Sequence, residues 1–157
     1  MELSAAYSEI EVASTNCRFC HDQLLAWIAT IRYLAVGERE NDVREAVICN
    51  PVRTPVGRFG GSLRDVDAET LAALVINAVL QRSGLDPKEI DDCIFGQCSP
   101  SGEAPAIGRT ALLSAGLPVE VPGFQVDRRC GSGLQAICIA AMEVQTGVSD
   151  VVTRGRR

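Results

Sequence analysis

From Val43 onward, the sequence alternates between short β-prone runs and longer stretches with helical periodicity. The predicted strands cover residues 45–50, 92–96, 123–127 and 148–153, and the predicted helices cover 67–84, 107–115 and 131–147. Pro51 is expected to end the first strand, and glycines at 84, 116 and 147 are expected to end the helices. Strands and helices that alternate in this way are joined by right-handed crossovers. The sequence therefore predicts an α/β fold, with helices layered on a mainly parallel mixed sheet.

Residues 1–42 form a leader whose composition differs from the rest of the chain. They contain the only histidine, the only tryptophan and both tyrosines. Apolar residues recur at helical spacing between Leu24 and Ala35, with Asp22 as a possible cap and Gly37 as a stop, so the pattern predicts an amphipathic helix over 22–36. The polar residues 37–42 are interpreted as a linker. We expect the domain to start at Val43 and the leader to be translated upstream sequence.

Composition and charge restrict the partners that the chain can bind. Its 157 residues carry a formal net charge of −5. Binding to nucleic acid requires clustered basic residues that neutralise phosphates, and the one basic cluster, Arg154, Arg156 and Arg157, is interpreted as a solvated tail. The sequence has no apolar run of about 18 residues, and its acidic first residues are not typical of a signal peptide. We expect a cytoplasmic protein that binds neither nucleic acid nor membranes.

The seven cysteines are irregularly spaced and odd in number, which favours free thiols over a disulfide framework. Cys17, Cys20 and His21 have the spacing of a c-type haem attachment site. Haem attachment also needs export and usually a second axial ligand, and a zinc site needs a fourth ligand, so we interpret the motif as incidental. No metal and no bound cofactor are therefore expected.

Cys130 is the candidate catalytic residue. It lies between a predicted strand and the first turn of a predicted helix, where the free N–H groups of the helix favour an anion. Arg128 and Arg129 add positive charge, which stabilises a thiolate, and Gly131 and Gly133 leave room for a substrate carbonyl. The pattern is that of a nucleophile elbow with cysteine in place of serine. The alternative is that the glycines form an ordinary turn before a core helix and that Cys130 is a buried cysteine.

Three further features of the sequence are given structural interpretations. Cys138 shares the apolar face of the last helix and is predicted to be a core residue. The glycine-rich segment 54–61 matches neither a Walker A loop nor a dinucleotide fingerprint, and is predicted to be a structural loop. Arg109 either holds the polar loop 99–106 by hydrogen bonds or is an ordinary surface residue of its helix.

Several segments occur in the order found in thiolases. They are Arg53-Thr-Pro-Val-Gly-Arg-Phe-Gly-Gly61, the helix from Thr70 to Gly84, Ile-Phe-Gly96, residues 107–118, and Arg129-Cys-Gly-Ser-Gly-Leu-Gln-Ala136. The chain resembles the start of an acetyl-CoA acetyltransferase or 3-ketoacyl-CoA thiolase from about Val43 to Val152. Asp127 is a departure, because many members have asparagine there. The resemblance implies a thiolase-like layered fold, of which residues 43–157 are a partial N-terminal domain truncated in or after its fourth strand.

The resemblance also implies an activity and its substrates. Cys130 would form an acyl-enzyme thioester while a 3-ketoacyl-CoA is made or cleaved, with acyl-CoA and CoA as substrates and the Cys130 N–H helping to bind the oxyanion. Full-length members are expected to be homodimers or homotetramers. In the family, an activating histidine and a second cysteine come from the C-terminal half, which has no match here.

We therefore expect this chain to be inactive and unstable on its own. Two alternatives remain open. The first is a non-catalytic product, either a truncated remnant or a fragment that binds a thiolase subunit. The second is a ketoacyl-carrier-protein synthase, which also places a cysteine at a helix start but prefers serines after it, whereas Gly131 and Gly133 favour a thiolase.

Overall fold

The computed structural model describes residues 27–34, 44–100, 102 and 104–156. Within them, strands and helices alternate as the pattern after Val43 predicts, preceded by one additional strand. The elements are β1 (Trp27–Leu34), β2 (Glu45–Arg53), α1 (Ala68–Ser83), a short 3₁₀ turn (Pro87–Glu89), β3 (Asp92–Gly96), α2 (Ile107–Ser114), β4 (Phe124–Val126), α3 (Ser132–Thr146) and β5 (Val151–Arg156).

The five strands form one mixed sheet in the order β2-β1-β5-β3-β4. Strand β3 pairs in parallel with both β4 and β5. Strand β1 pairs antiparallel with β2 on one side and with β5 on the other. Four of these strands therefore run in the same direction and only β1 runs in the opposite one. The predicted α/β fold with a mainly parallel mixed sheet is confirmed.

The predicted helix over 22–36 is wrong for residues 27–34, which form β1. Residues 22–26 and 35–36 lie outside the described residues. The segment contains aromatic and β-branched residues that also suit a strand. Its backbone pairs with two neighbouring strands, from Trp27 to Leu34 with β2 and from Trp27 to Arg32 with β5. Pairing on both sides supplies hydrogen bonds that the apolar spacing alone does not reveal, and here it overrides the helical pattern.

The ends of α1 follow from its sequence. The side chain of Asp67 accepts a hydrogen bond from the Thr70 N–H at 2.6 Å, which caps the N-terminus. At the other end Gly84 adopts a left-handed φ of 67°, and its N–H donates to Leu80. The predicted start near Asp67 and stop at Gly84 are both confirmed.

Two predicted strand ends are corrected. Strand β2 continues through Pro51 to Arg53, because β2 is an edge strand, where a missing N–H need not cost a ladder bond. The last strand begins at Val151 and runs to Arg156, so Arg154 belongs to β5 and is only 8% exposed. Arg154 pairs with Ile94 on one side and Ala29 on the other, so this arginine of the predicted solvated tail lies inside the sheet.

The apolar core is divided between the two faces of the sheet. The larger cluster packs α1 and α2 against one face and includes Phe95 from β3. The smaller cluster packs α3 against the other face and includes Ile94, the preceding residue of β3. Successive strand residues point to opposite faces, so β3 supplies both clusters. Among the described residues, no helix is both long and apolar enough to cross a membrane.

Candidate active site

Cys130 lies in the turn that joins the carboxyl end of β4 to α3. Its thiol is exposed. Helix α3 begins at Ser132, with Gly131 as the N-cap, and no side chain caps it by a hydrogen bond. The first N–H groups of a helix have no partner within the helix and carry partial positive charge. The N–H groups of Gly131 and Ser132 donate to the carbonyls of Arg128 and Arg129, each at 3.0 Å. The structure places the exposed Cys130 directly before the helix start, and its role as nucleophile stays a prediction.

The residue before Cys130 adopts an uncommon backbone conformation. Arg129 has a φ of 50°, in the left-handed region that side chains other than glycine seldom occupy. Asp127 supports this geometry because its carboxylate accepts the Arg129 N–H at 2.8 Å and the Arg129 guanidinium at 3.1 Å. The same guanidinium donates to the Cys98 carbonyl at 3.0 Å. Asp127 thus holds the sharp turn that presents Cys130.

Ser132 fixes the other side of the turn, and sequence reasoning missed it. Its side chain is buried, and its Oγ donates to the Arg129 carbonyl at 2.6 Å. The same Oγ accepts the Arg128 N–H at 2.9 Å. The signal that could have identified it is a serine at the first residue of the helix, two positions after the candidate nucleophile. Ser132 therefore holds the backbone on both sides of Cys130.

A glycine of β3 lets this turn pack closely on the sheet. A Cβ atom at Gly96 would lie 2.5 Å from the backbone carbon of Ser132 and 2.6 Å from the Gly133 nitrogen. The start of α3 therefore lies directly on the end of β3. The next residue, Gln97, links the two parallel strands, because its N–H donates to the Val126 carbonyl at 3.0 Å. The carboxyl ends of β3 and β4 thus form the platform for Cys130, where ligands bind in open α/β sheets.

The two arginines expected to stabilise a thiolate have different partners. Arg129 forms an ion pair with Asp127, which offsets part of its charge. Arg128 donates to the neutral amide oxygen of Gln135 and keeps its full charge. Of the two arginines, Arg129 has a carboxylate partner among the described residues and Arg128 has a neutral one.

The other cysteines occupy different environments. Cys93 on β3 is fully buried, and burial raises the pKa of its thiol to about 12. Cys138 is exposed, so the prediction that it is a core residue is wrong. It lies on the side of α3 that faces away from the sheet, which the apolar spacing of an Ala-rich helix does not distinguish. Cys49 and Cys98 are half-buried free thiols. The motif from Cys17 to His21 lies outside the described residues.

Arg109 supports a different loop from the one predicted. Its guanidinium donates to the carbonyls of Val121 and Val119, the latter at 2.8 Å, and so holds the segment that leads into β4. Among the described residues, which leave out 101 and 103, the Arg109 guanidinium donates no hydrogen bond to loop 99–106, because α2 directs this side chain toward the following loop. The glycine-rich segment folds back on itself through a turn in which the Gly61 N–H donates to Arg58 at 2.9 Å. This turn is consistent with a structural loop.

The family model described as Thiolase, N-terminal domain, matches residues 46–155. This range contains β2 to β5, except for the first residue of β2 and the last of β5, and the whole turn around Cys130. The chain belongs to the thiolase family. It is 38% identical over 112 residues to an acetyl-CoA acetyltransferase of Syntrophomonas wolfei, and 40% identical over 111 residues to one of Cupriavidus necator. Each alignment covers 71% of this chain and 28% of the relative.

A solved thiolase structure has the same fold as this chain. The crystal structure of the Bacillus anthracis acetyl-CoA acetyltransferase matches it with a TM-score of 0.61 and 35% sequence identity. The match covers 83% of this chain and 28% of that chain. The chain therefore spans little more than a quarter of the length of the thiolases that it matches.

Proposed function

We propose that this domain carries the nucleophile of a thiolase-type acyl-CoA acyltransferase, and that the nucleophile is the Cys130 thiolate. The observation that carries the proposal is the position of Cys130. It is an exposed thiol between the carboxyl end of β4 and the uncapped start of α3, within the residues that match the thiolase family. The relatives named as acetyl-CoA acetyltransferases support CoA thioesters as the substrate class.

In the first half-reaction, Sγ of Cys130 attacks the carbonyl carbon of an acyl-CoA thioester. A new carbon–sulfur bond to Cys130 forms, the bond to CoA breaks, and CoA leaves as its thiolate. In the second half-reaction, the carbanion of another acyl-CoA, formed by loss of a proton to a base, attacks the acyl-cysteine and releases the Cys130 thiolate as the 3-ketoacyl-CoA forms. In the cleavage direction, the Cys130 thiolate attacks the 3-keto carbonyl of a 3-ketoacyl-CoA, the bond between C2 and C3 breaks, and the departing carbanion takes a proton from an acid and leaves as a shorter acyl-CoA. The thiolate of CoA then takes the acyl group from Cys130, which is released as its thiolate.

The groups around Cys130 have distinct proposed roles. The helix end and Arg128 stabilise the thiolate, and the Cys130 N–H helps to bind the oxyanion of the tetrahedral intermediate. Asp127 and Ser132 are positioning residues, since they hold the backbone of the turn rather than the reacting atoms. Gly131 adds no side chain next to Cys130, whereas Gly133 is buried where α3 packs on Gly96.

We further propose that the 157-residue chain does not complete turnover alone. Thiolase chemistry needs a base to activate the nucleophile and a second group to move the substrate proton. The only histidine of the sequence, His21, lies outside the matched residues 46–155. A complete cycle therefore depends on groups from beyond the matched segment.

The test compares Cys130 with Cys138, an exposed cysteine on the same helix. Each is followed by mass spectrometry during reaction with iodoacetamide. We expect Cys130 to react about tenfold faster or more, because thiolate stabilisation acts at the helix start and not along its side. Preincubation with acetyl-CoA should slow alkylation of Cys130 and leave Cys138 unchanged. Equal rates for both thiols in the folded chain would contradict the proposal.

Ser132→Ala and an activity assay provide the controls. The substitution removes both hydrogen bonds that hold the turn, so the rate advantage of Cys130 over Cys138 should fall. Acetoacetyl-CoA thiolysis by the purified chain should stay at the level of a Cys130→Ala variant. Turnover that depends on Cys130 would support the nucleophile and overturn the proposal that the 157-residue chain does not complete turnover alone. An inert Cys130 would favour the alternative, a non-catalytic fragment that binds a thiolase subunit.

A further inference from the structure

The guanidinium of Arg129 uses only part of its hydrogen-bonding capacity. Its Nη1 donates to the Asp127 carboxylate at 3.1 Å and to the Cys98 carbonyl at 3.0 Å. Among the described residues, Nε and Nη2 have no acceptor, and the side chain is 81% exposed. Arginine offers five N–H donors in a planar fork. The structure therefore leaves one edge of this guanidinium open, in the residue that precedes the candidate nucleophile.

A second exposed arginine shows how a surface ion pair in this chain uses both donors of that edge. Arg64 donates from Nε to one carboxylate oxygen of Asp65 at 2.9 Å and from Nη2 to the other at 2.8 Å. This two-pronged geometry is typical of arginine with a carboxylate. The edge that Arg64 uses for Asp65 is the edge that Arg129 leaves free. Arg129 is therefore held in place through Nη1 and keeps an unused binding edge for a second carboxylate.

The charges of the turn also favour an anionic ligand. Residues 127–132 contain two arginines and one aspartate, which leaves one positive charge in surplus, whereas the whole chain has a net charge of −5. Arg128 donates to a neutral group, the amide oxygen of Gln135. A surface with surplus positive charge attracts anions. A carboxylate that approaches Cys130 therefore meets a cationic turn within an acidic protein.

The open edge lies within reach of a group at the far end of an acyl chain on Cys130. Consecutive Cα atoms are 3.8 Å apart, so the guanidinium of Arg129 lies within about 11 Å of the Cα atom of Cys130. A six-carbon acyl group spans about 6 Å from its thioester carbon to its last carbon. The cysteine side chain, this acyl group and one hydrogen bond together exceed the distance to be covered. A terminal carboxylate can therefore meet Arg129 while the thioester carbon lies at Sγ.

We propose that Arg129 is a substrate-binding residue that selects acyl-CoA thioesters whose acyl group ends in a carboxylate. The proposal rests on the proposed role of Cys130 as the nucleophile. Nε and Nη2 donate to the two oxygens of that carboxylate, while Asp127 and the Cys98 carbonyl hold the guanidinium in place. No bond is made or broken at Arg129, because its contact only orients the thioester toward Sγ of Cys130. A neutral acyl chain of the same length lacks this contact.

Acylation of Cys130 in the full chain, followed by mass spectrometry, tests the proposal. The probes are adipyl-CoA and hexanoyl-CoA, which have the same number of acyl carbons and differ only in the terminal carboxylate. At limiting concentration, Cys130 should react about fivefold faster or more with adipyl-CoA, because only adipyl-CoA offers a charge-assisted pair of hydrogen bonds to Arg129. Cys138, which is exposed on α3, measures the intrinsic ratio of the two thioesters.

Substitutions assign the preference to Arg129. Arg129→Gln should bring the ratio of the two rates at Cys130 close to the ratio at Cys138, because it removes the charge and the fork. Arg129→Lys should keep only part of the preference, since an ammonium group cannot bind a carboxylate with a planar fork. Arg82→Gln, at an exposed arginine in the last turn of α1, is the control and should keep the full ratio. A ratio taken within one variant cancels any general loss of reactivity.

The outcomes distinguish the role of Arg129 from that of Cys130. Equal acylation of Cys130 by both thioesters, or a preference that survives in Arg129→Gln, would overturn the role of Arg129 and leave Cys130 as the nucleophile. If neither thioester acylates Cys130, the nucleophile and the role of Arg129 fail together.

If Arg129→Gln does not fold, the salt dependence of the parent decides the question. The preference of Cys130 for adipyl-CoA should fall toward the ratio at Cys138 between about 0.1 M and 1 M salt, because the Debye length falls from about 10 Å to about 3 Å. A preference that salt does not change would overturn the role of the Arg129 charge.

Discussion

The two faces of the sheet differ in how completely they are covered, and the candidate nucleophile belongs to the less covered face. On one face, α1 and α2 enclose the larger apolar cluster, in which Phe95 is fully buried. On the other face, α3 covers a small cluster, and the outer side of α3 exposes large apolar side chains, including Leu134 at 66% and Met142 at 51%. The first face buries the larger apolar cluster, whereas the second combines a smaller cluster with the exposed Cys130.

Two cysteines show the chemical consequence of that difference. Cys93 faces the larger cluster, where burial raises its thiol pKa to about 12, so it stays protonated and unreactive at neutral pH. Cys130 is exposed beside a helix start. The same side chain is therefore a core residue in one place and a candidate nucleophile in the other. What separates them is solvent access and the nearest backbone dipoles, not residue type.

The largest expected effect is a loss of stability on truncating two neighbouring residues of β3, one from each apolar cluster. Phe95→Ala removes a large side chain from the well-enclosed cluster and should lower the free energy of unfolding by about 3–5 kcal/mol. Ile94→Ala should cost about 2–3 kcal/mol, because its neighbours are mostly small and an incompletely covered face can relax into the space. Urea unfolding of both variants measures the difference. Equal losses would mean that the two faces are equally well packed.

A smaller loss of stability is expected from a substitution at the point where α3 approaches the sheet most closely. Gly96→Ala places a Cβ against the backbone of Ser132, which cannot move without shifting α3, so it should cost about 1–3 kcal/mol. Gly102→Ala is the matched control, because nothing lies within 4 Å of its Cβ position, and it should change stability by less than about 0.5 kcal/mol. If both variants have the stability of the parent, the close contact between β3 and α3 is not needed.

The smallest effect concerns two carboxyl groups near the edge of the α3 face. Partial burial is the larger cause that raises the pKa of Glu143, and repulsion by the Asp92 carboxylate is the second. Burial is also the largest cause that raises the pKa of Asp92. A raised carboxyl pKa means that the folded chain holds its proton to higher pH than the unfolded chain does. The contribution of these groups to stability is therefore present below their unfolded pKa values and is lost as pH rises through the folded ones.

Glu143→Gln should therefore make the chain slightly more stable than the parent at pH 7, with the difference disappearing below about pH 4. Thermal unfolding across this pH range measures it, and the exposed Glu120→Gln is the control. A constant difference at all pH values would show that packing, and not charge, is responsible.

Most elements after Val43 were predictable because their signals are local. Asp67 and Gly84 end α1 by capping and by a left-handed turn, which need only a few neighbouring residues. The position of Cys130 before α3 was predictable for the same reason. The support of the turn was not, because the side chain of Ser132 and the close contact at Gly96 depend on how α3 lies on β3.

The sequence by itself determined the α/β class, the helix ends and the cysteine that precedes a helix start, because spacing, caps and glycines act within a few residues. Only the tertiary structure decided that residues 27–34 form a strand, that Arg154 is buried, and that Cys138 is exposed. Each of these depends on which surfaces distant segments present to one another. Hydrogen bonding to two neighbouring strands outweighs the helical spacing of β1, and no local pattern contains that information.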